Sequence, residues 1–509
     1  MNANHPTTKH TAKHATKPVY NMPAGYPFAD TLAKTLLKDY DGRIEDLPKL
    51  RILLPTRRAC RTLQNSFLRH TGGKPLLLPQ LSPLGDVDED IFALEAAGYG
   101  IADEILSLPP AIPPTRRRLL LARTIMALQT VGSGNIDKAI ALATSLGTLM
   151  DEIHTEGLDI RDLPDLVESE KLSEHWNITI DFLEILSKNW PSILEENGYI
   201  DQADRRNRLM TALGDFWLEK PPADPIIAAG STGSIPAARR LLNIIAGLPQ
   251  GKIILPGLDQ QIDDASWACL DDTHPQFALK TLLDTLDIDR KDVHLWPDCD
   301  DCLESRYPHA TATIKQRGRL ATEMMRPADT SDAWQQLGKA DGNIKADLAR
   351  ACQDLRLYTC ESPQEEALLI ASVIREALEN PDKDDDQPQS LNNRTIAVVT
   401  PDRHLARRIT MACLRWNIVI DDSAGTSLPK TPVGSFAQIA ASLPQNRYAP
   451  AALATLLKHN HFKLGMADHD RLRAITLLEK SCLRGIAPPK GLDGYLSYVE
   501  TKIANIENS

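Results

Sequence analysis

The stretch Asn21-Met-Pro-Ala-Gly-Tyr-Pro-Phe-Ala-Asp-Thr31 stands just before the first long helical pattern, the place a phosphate-binding loop would take. Such a loop aims backbone N–H groups at phosphate oxygens, neutralises them with a lysine, and offers a Ser/Thr hydroxyl to Mg²⁺. Pro23 and Pro27 have no N–H to give, Gly25 stands alone, and no lysine is present; only Thr31 keeps the hydroxyl. The pattern G-x-x-x-x-G-K-[ST] occurs nowhere in the chain. The loop therefore reads as degenerate, and no catalytic residue is assigned.

Four other groups of residues could meet an anion. Thr56, Arg57 and Arg58, with Arg61 one turn on, follow a strand pattern and open a helix. A helix N-terminus with arginines is an anion site suited to a nucleic-acid backbone; otherwise Thr56 is an N-cap among surface arginines. Ser231 and Thr232 lie in Gly230-Ser-Thr-Gly233, a strand-to-helix turn able to hold a phosphate, or a tight turn in which Ser231 or Ser234 caps the next helix. Arg116, Arg117 and Arg118, like Arg205-Arg206 and Arg239-Arg240, are basic clusters that track a backbone if they share a groove and are solvated faces if not. Arg403 closes Thr400-Pro-Asp-Arg403 after a later strand.

Three patterns point away from chemistry. Cys299-Asp-Asp-Cys302 is a lone C-x-x-C without further ligands at zinc spacing, and reads as an acidic loop with no metal. Met150-Asp-Glu152 sits within helical periodicity and reads as a solvated helix face. Gly198-Tyr-Ile-Asp201 reads as a junction between helices, with surface arginines after it.

These residues need elements to hold them. With 509 residues, about three domains are expected. The composition, 42% hydrophobic and 25% charged, is that of a core-forming chain. A net charge of −11 excludes a generically basic nucleic-acid coat but leaves room for a local basic groove. Eight scattered cysteines are too sparse for a disulfide framework. No apolar run approaches the ~18–20 residues of a membrane span, and residues 1–18 form a polar tail with no secretory core, so a cytoplasmic protein is expected.

The order of patterns is α/β over 19–112, helical over 113–213, α/β again over 214–324, a polar linker over 325–354, a second α/β stretch over 355–449 and a helical start over 450–509. Helical spacing covers Phe28–Asp39 and Glu365–Leu378. Strand-like runs are Arg51–Pro55, Leu76–Leu78, Pro225–Gly230, Lys252–Pro256, Leu357–Cys360 and Thr395–Val399.

Segments spread along this order carry a resemblance. Arg51-ILLPTRRACRTL-Gln64, Leu76-LLPQLSPLGDVDED-Ile91, Ala228-AGSTGSIPAARRLL-Asn243, Val399-TPDRHLARR-Ile409 and Ile420-DDSAGTSLPKTP-Val433 resemble AddB-type subunits of bacterial helicase–nucleases, in order from about Val19 to Tyr498. The resemblance implies two RecA-like domains of superfamily 1 helicase type, each with a helical insertion, the second domain and its insertion incomplete. It places Thr56–Ala59 at a motif that touches single-stranded DNA. It implies an AddA-type partner subunit that supplies ATP-driven translocation, and duplex and single-stranded DNA ends as ligand during double-strand-break repair. AddB-type chains are longer, so this chain is expected to be the amino-terminal half, a fragment or split-frame product. The nuclease domain, its iron–sulfur cluster and Mg²⁺ would lie in the other half, and no cofactor is expected here. An active ATP-dependent helicase and a non-DNA scaffold of helicase ancestry are the alternatives.

Overall fold

The strands are β1 (Val19–Met22), β2 (Arg51–Leu54), β3 (Gln80–Pro83), β4 (Ile226–Ala229), β5 (Gly251–Pro256) and β6 (His294–Leu295); β2, β4 and β5 come from short apolar runs, whereas β1, β3 and β6 mix in polar residues. They form one six-stranded sheet in the order β3-β2-β4-β5-β1-β6. Every pairing is parallel; Val19 faces Ile253, Ile52 faces Ile227 and Ala228 faces Ile253. The computed structural model describes residues 17–84, 108–127, 135–158, 189–337, 342–379, 396–484 and 491–507. Met1–Leu355 and Arg356–Ser509 are separate compact units.

The helices that position the first unit's surface are α1 (Phe28–Asp39), α2 (Arg57–His70), α3 (Pro114–Ala127), α4 (Ile136–Thr155), α5 (Gln202–Glu219), α6 (Pro236–Gly247), α7 (Phe277–Leu286), α8 (Cys299–Arg306), α9 (Thr311–Met324) and α10 (Gly342–Ala351). Side chains alternate across each strand, which sorts the core into two layers. Ile52, Leu54, Ile227, Ala229 and Ile254 pack with Leu32, Leu36, Leu63 and Phe67 of α1 and α2. Leu53, Ile226, Ala228 and Ile253 pack on the other face with Trp217, Leu241, Ile245 and Leu282 of α5, α6 and α7. This two-faced burial is why β2, β4 and β5 read as continuous apolar runs. A third cluster joins α3, α4 and the helix over 189–196 through Leu121, Met150 and Trp190.

The topology creates two crevices. The chain leaves β1 toward β2 but leaves the adjacent β5 toward β6, on the opposite side; it also leaves β2 toward β3 but the adjacent β4 toward β5. Parallel sheets take ligands at the carboxyl ends of strands at such reversals.

Two expectations for the first unit are corrected. Leu76–Leu78 is not a strand: pairing with β2 begins four residues later, at Gln80, where the ladder to Arg51 opens. Residues expected as a polar linker form helix, and α10 is fastened to α9 by Gln316 Nε2 to Asp347 Oδ1 at 2.8 Å and Arg317 Nη2 to the Gln353 carbonyl at 2.7 Å. Few apolar residues are needed for that packing; among the residues of α10 whose burial is described, Ala351 alone is fully buried.

In the second unit, α11 (Pro363–Glu379), α12 (Arg403–Leu414), α13 (Pro432–Gln445), α14 (Pro450–Lys458), α15 (Asp468–Leu478) and α16 (Leu492–Glu507) carry the order. A third correction falls here. The runs at Leu357–Cys360 and Thr395–Val399 are not strands: Thr395 lies outside the described residues and the others join no ladder among them. Their apolar side chains lack a covering layer on the second side: Leu357 is 94% exposed and Val399 93%. The tail 1–16, the helical pattern through Trp176–Leu186 and the acidic run Asp382–Asp386 lie outside the described residues. No helix among the described residues is long and apolar enough to cross a membrane.

Candidate functional site

The loop after β1 is tied to its neighbours and borders a cavity of about 540 Å³ that it shares with α9 and the turn after β5. Asn21 is buried; its Oδ1 accepts the Leu258 N–H at 3.0 Å and its Nδ2 donates to the Leu258 carbonyl at 2.9 Å, tying β1 to the turn after β5. Gly25 has φ +89°, and a Cβ there would sit 3.0 Å from Ile314 Cγ2, so α9 lies directly on the loop. Lys315 Nζ to Asp300 at 2.8 Å, Tyr26 Oη to Asp300 at 3.0 Å and Thr322 Oγ1 to Asp259 at 2.7 Å fix α9 there.

Charge at the start of α1 is reversed from what a phosphate needs. Pro27 caps the helix without a side-chain bond, and Asp30 occupies the first turn. Arg69 donates to Asp30 at 2.5 Å and Arg306 lies 3.4 Å away. Burial pushes the Asp30 carboxyl up, but the bonds from Arg69 and Ser66 outweigh it and hold it below its usual range. Arg69 and Arg306 are thus committed to a resident carboxylate. Thr31 is fully buried and its hydroxyl has no hydrogen-bond partner among the described residues, so it is sealed from any Mg²⁺. Pro23, Gly25, Pro27 and Thr31 do not fit a Mg–nucleotide.

A second cleft, of about 570 Å³, runs from the start of α1 (Pro27, Phe28, Asp30) to the β2/β4 reversal, where Leu54, Pro55, Arg58 and Gly230 line it. Thr56 caps α2, its Oγ1 accepting the Ala59 N–H at 3.1 Å. Thr56, Arg57, Arg58 and Arg61 are all exposed. The helix lacks an acidic residue in its first turn, so its partial positive end adds to the arginines.

The turn after β4 borders the same cleft because β4 pairs with β2. Gly230 and Gly233 take φ of +79° and +64°, left-handed values a side chain would strain. Neither Ser231 nor Ser234 caps α6, whose N-cap is Ile235 followed by Pro236. Instead Ser231 Oγ accepts the Gly233 N–H at 3.3 Å, and Arg239 Nε donates to the Gly233 carbonyl at 3.0 Å. Ser231 and Thr232 are half-buried in this braced turn.

The remaining expected residues lie elsewhere. Arg116 stays at the surface but bonds Tyr199 Oη and Asn197 Oδ1, both at 3.1 Å. Arg117 is corrected from a surface cation to a buried one: Nη1 is 2.7 Å from Asp151 and Nε 2.8 Å from Asp201. Asp201 also accepts the Trp190 Nε1–H at 2.8 Å and lies 3.5 Å from His154 Nε2. Burial works against the Asp201 carboxylate, but the His154 bond and the Arg117 charge hold it below its usual range; the same bond raises His154. Sequence reasoning missed this cluster, because a run of three arginines does not say which one turns inward. Arg205, expected at the surface, is also buried and donates to the Pro109 carbonyl at 2.9 Å.

In the second unit the fork of Arg403 is taken by Asp422, with Nη1 to Oδ1 at 3.1 Å, which holds that carboxyl down to about 2. Cys299 and Cys302 are not in a loop: they open α8 and are buried under the sheet, where burial pushes the Cys299 thiol up to about 12. Among the described residues no group of three or more His, Cys, Asp or Glu could hold a metal ion. No family model matches the chain, and no curated protein matches it significantly.

Proposed function

We propose that this chain is an AddB-like, helicase-shaped DNA-binding subunit that holds DNA ends and depends on an AddA-type partner for ATP-driven movement. In this reading residues 19–112 and 214–324 form a RecA-like domain interrupted by the helical insertion 113–213, and the second unit is part of another RecA-like domain. The observation that carries it is the contrast between the two reversals of one parallel sheet. The loop at the β1/β5 reversal, where a motor would hold nucleotide phosphates, carries two prolines and no lysine, and Asp30 stands in the first turn of the helix it opens, although a cavity of about 540 Å³ lies between that loop and α9. The β2/β4 reversal presents Thr56, Arg57, Arg58 and Arg61 at a helix N-terminus beside a cleft. An active ATP-dependent helicase is disfavoured by the first of these.

The test is equilibrium binding of a tailed DNA duplex together with DNA-stimulated ATP hydrolysis. Binding should weaken as salt rises and should fall on Arg57→Ala/Arg58→Ala, with a log–log salt slope smaller by roughly 0.9 for each phosphate no longer neutralised. ATP should not be hydrolysed with or without DNA. No binding at any salt, or DNA-stimulated hydrolysis, overturns the reading.

A further inference from the structure

Within the second unit, α11 and α12 pack through Ala367, Ala371, Ile374, Ile409 and Cys413, leaving a groove of about 440 Å³ on their outer side. Its rim is basic. Arg407, Arg408 and Arg415, with His404, line it along α12. Arg408 Nη1 donates to Gln364 Oε1 of α11 at 3.0 Å; among the described residues no carboxylate lines the groove or pairs with the three arginines.

An ordinary solvated helix face looks different. Exposed arginines on helices gain from acidic residues three or four positions away, whereas like charges at that spacing repel. The sequence of α12, RHLARRITMACL, contains no acid at all, and Arg403 and Arg407 repeat the same charge at i,i+4. Arg403 is neutralised by Asp422. Among the described residues the other three meet no carboxylate, and Arg408 has only the Gln364 amide.

We infer that this groove binds the phosphodiester backbone of a single nucleic-acid strand. Guanidinium forks match phosphate oxygens in pairs. Arg407 and Arg415 are eight residues apart, about 12 Å along a helix at ~1.5 Å per residue, so cations stand at both ends of a short path. Met411 and Leu368 form an apolar floor between them, suited to the face of a base or sugar. An acidic amphipathic helix is the poorer occupant, since it needs apolar anchors repeating over two turns or more, and this floor is shorter than that.

The groove concerns other residues than the α2 site and stands without it. Binding of a fluorescein-labelled oligothymidylate to the full chain, measured across salt concentrations, tests it. Arg407→Ala/Arg408→Ala/Arg415→Ala should lower the log–log salt slope by about 2, at roughly 0.7 per single-strand phosphate. The triple lysine variant should keep most of the slope, and both variants should melt at the wild-type temperature. An unchanged slope in the alanine variant overturns the inference. So does a labelled oligoglutamate that binds the full chain as tightly as the oligonucleotide and loses that binding in the alanine variant. Arg57→Ala/Arg58→Ala in the same assay separates the two sites: loss there with none in the triple variant sinks the groove and leaves the α2 site standing, while the reverse does the opposite.

Discussion

Asp201 sits 1% exposed between Arg117, Trp190 and His154, and a buried carboxylate of that kind is costly to strand. Removing one partner of a buried pair typically costs about 3–5 kcal/mol, so Asp201→Asn should lower the melting temperature well beyond a surface change. The pair also sets a pH window. His154 is raised above its ordinary 6.5, so its contribution is full below that value and is lost as pH rises through the folded value. Asp201 is lowered below 3.8, so its contribution is present above that value and is lost as pH falls through the folded one. The stability advantage of wild type over His154→Gln should therefore be largest near pH 5 and shrink by pH 8 in denaturant titrations; an advantage independent of pH contradicts the pairing. Gly25 gives a second residue-scale test. Its φ of +89° and the nearby Ile314 mean that Gly25→Ala should cost about 1–3 kcal/mol, with part recovered by Ile314→Ala, while Ile314→Ala alone should not create nucleotide binding. The location of Thr56 and its arginines was readable, since a proline-ended strand run leads into them. The inward turn of Arg117 was not, because helical phase decides it and three identical residues hide the phase.

At the scale of elements, α2 depends on Thr56 for its cap, so Thr56→Ala should lower stability by about 1 kcal/mol and Thr56→Ser should largely restore it. If serine instead fails to restore DNA affinity while restoring stability, the threonine methyl has a role beyond capping. Helix α1 was legible residue by residue, from Phe28 to Asp39, because its apolar positions repeat at helical spacing and the sheet needs that face. The runs at 357–360 and 396–399 read as strands but are unpaired among the described residues. Alternation and β-branching describe a strand's own backbone; whether a neighbour completes the ladder depends on distant residues. The helices at 328–337 and 342–351 were missed for the opposite reason: they are mostly polar, and the second is held by side-chain bonds such as Gln316 to Asp347.

On the scale of the whole chain, two units with separate cores are present, and the first keeps α10. Limited proteolysis should accordingly yield an amino-terminal fragment that retains residues up to about Leu355; a stable fragment ending near Met325 contradicts the packing of α10 on α9. A chain of net charge −11 that binds DNA must do so through local fields, and these are screened within about 10 Å at 0.1 M salt. In the proposed reading DNA meets the chain at the β2/β4 reversal, along the amino-terminal end of α2. Amide hydrogen exchange of the full chain, with and without a saturating tailed duplex, tests this most directly. Protection on binding should appear over residues 55–62 and 229–234, with none over α4. A bound duplex that leaves 55–62 unprotected contradicts the account.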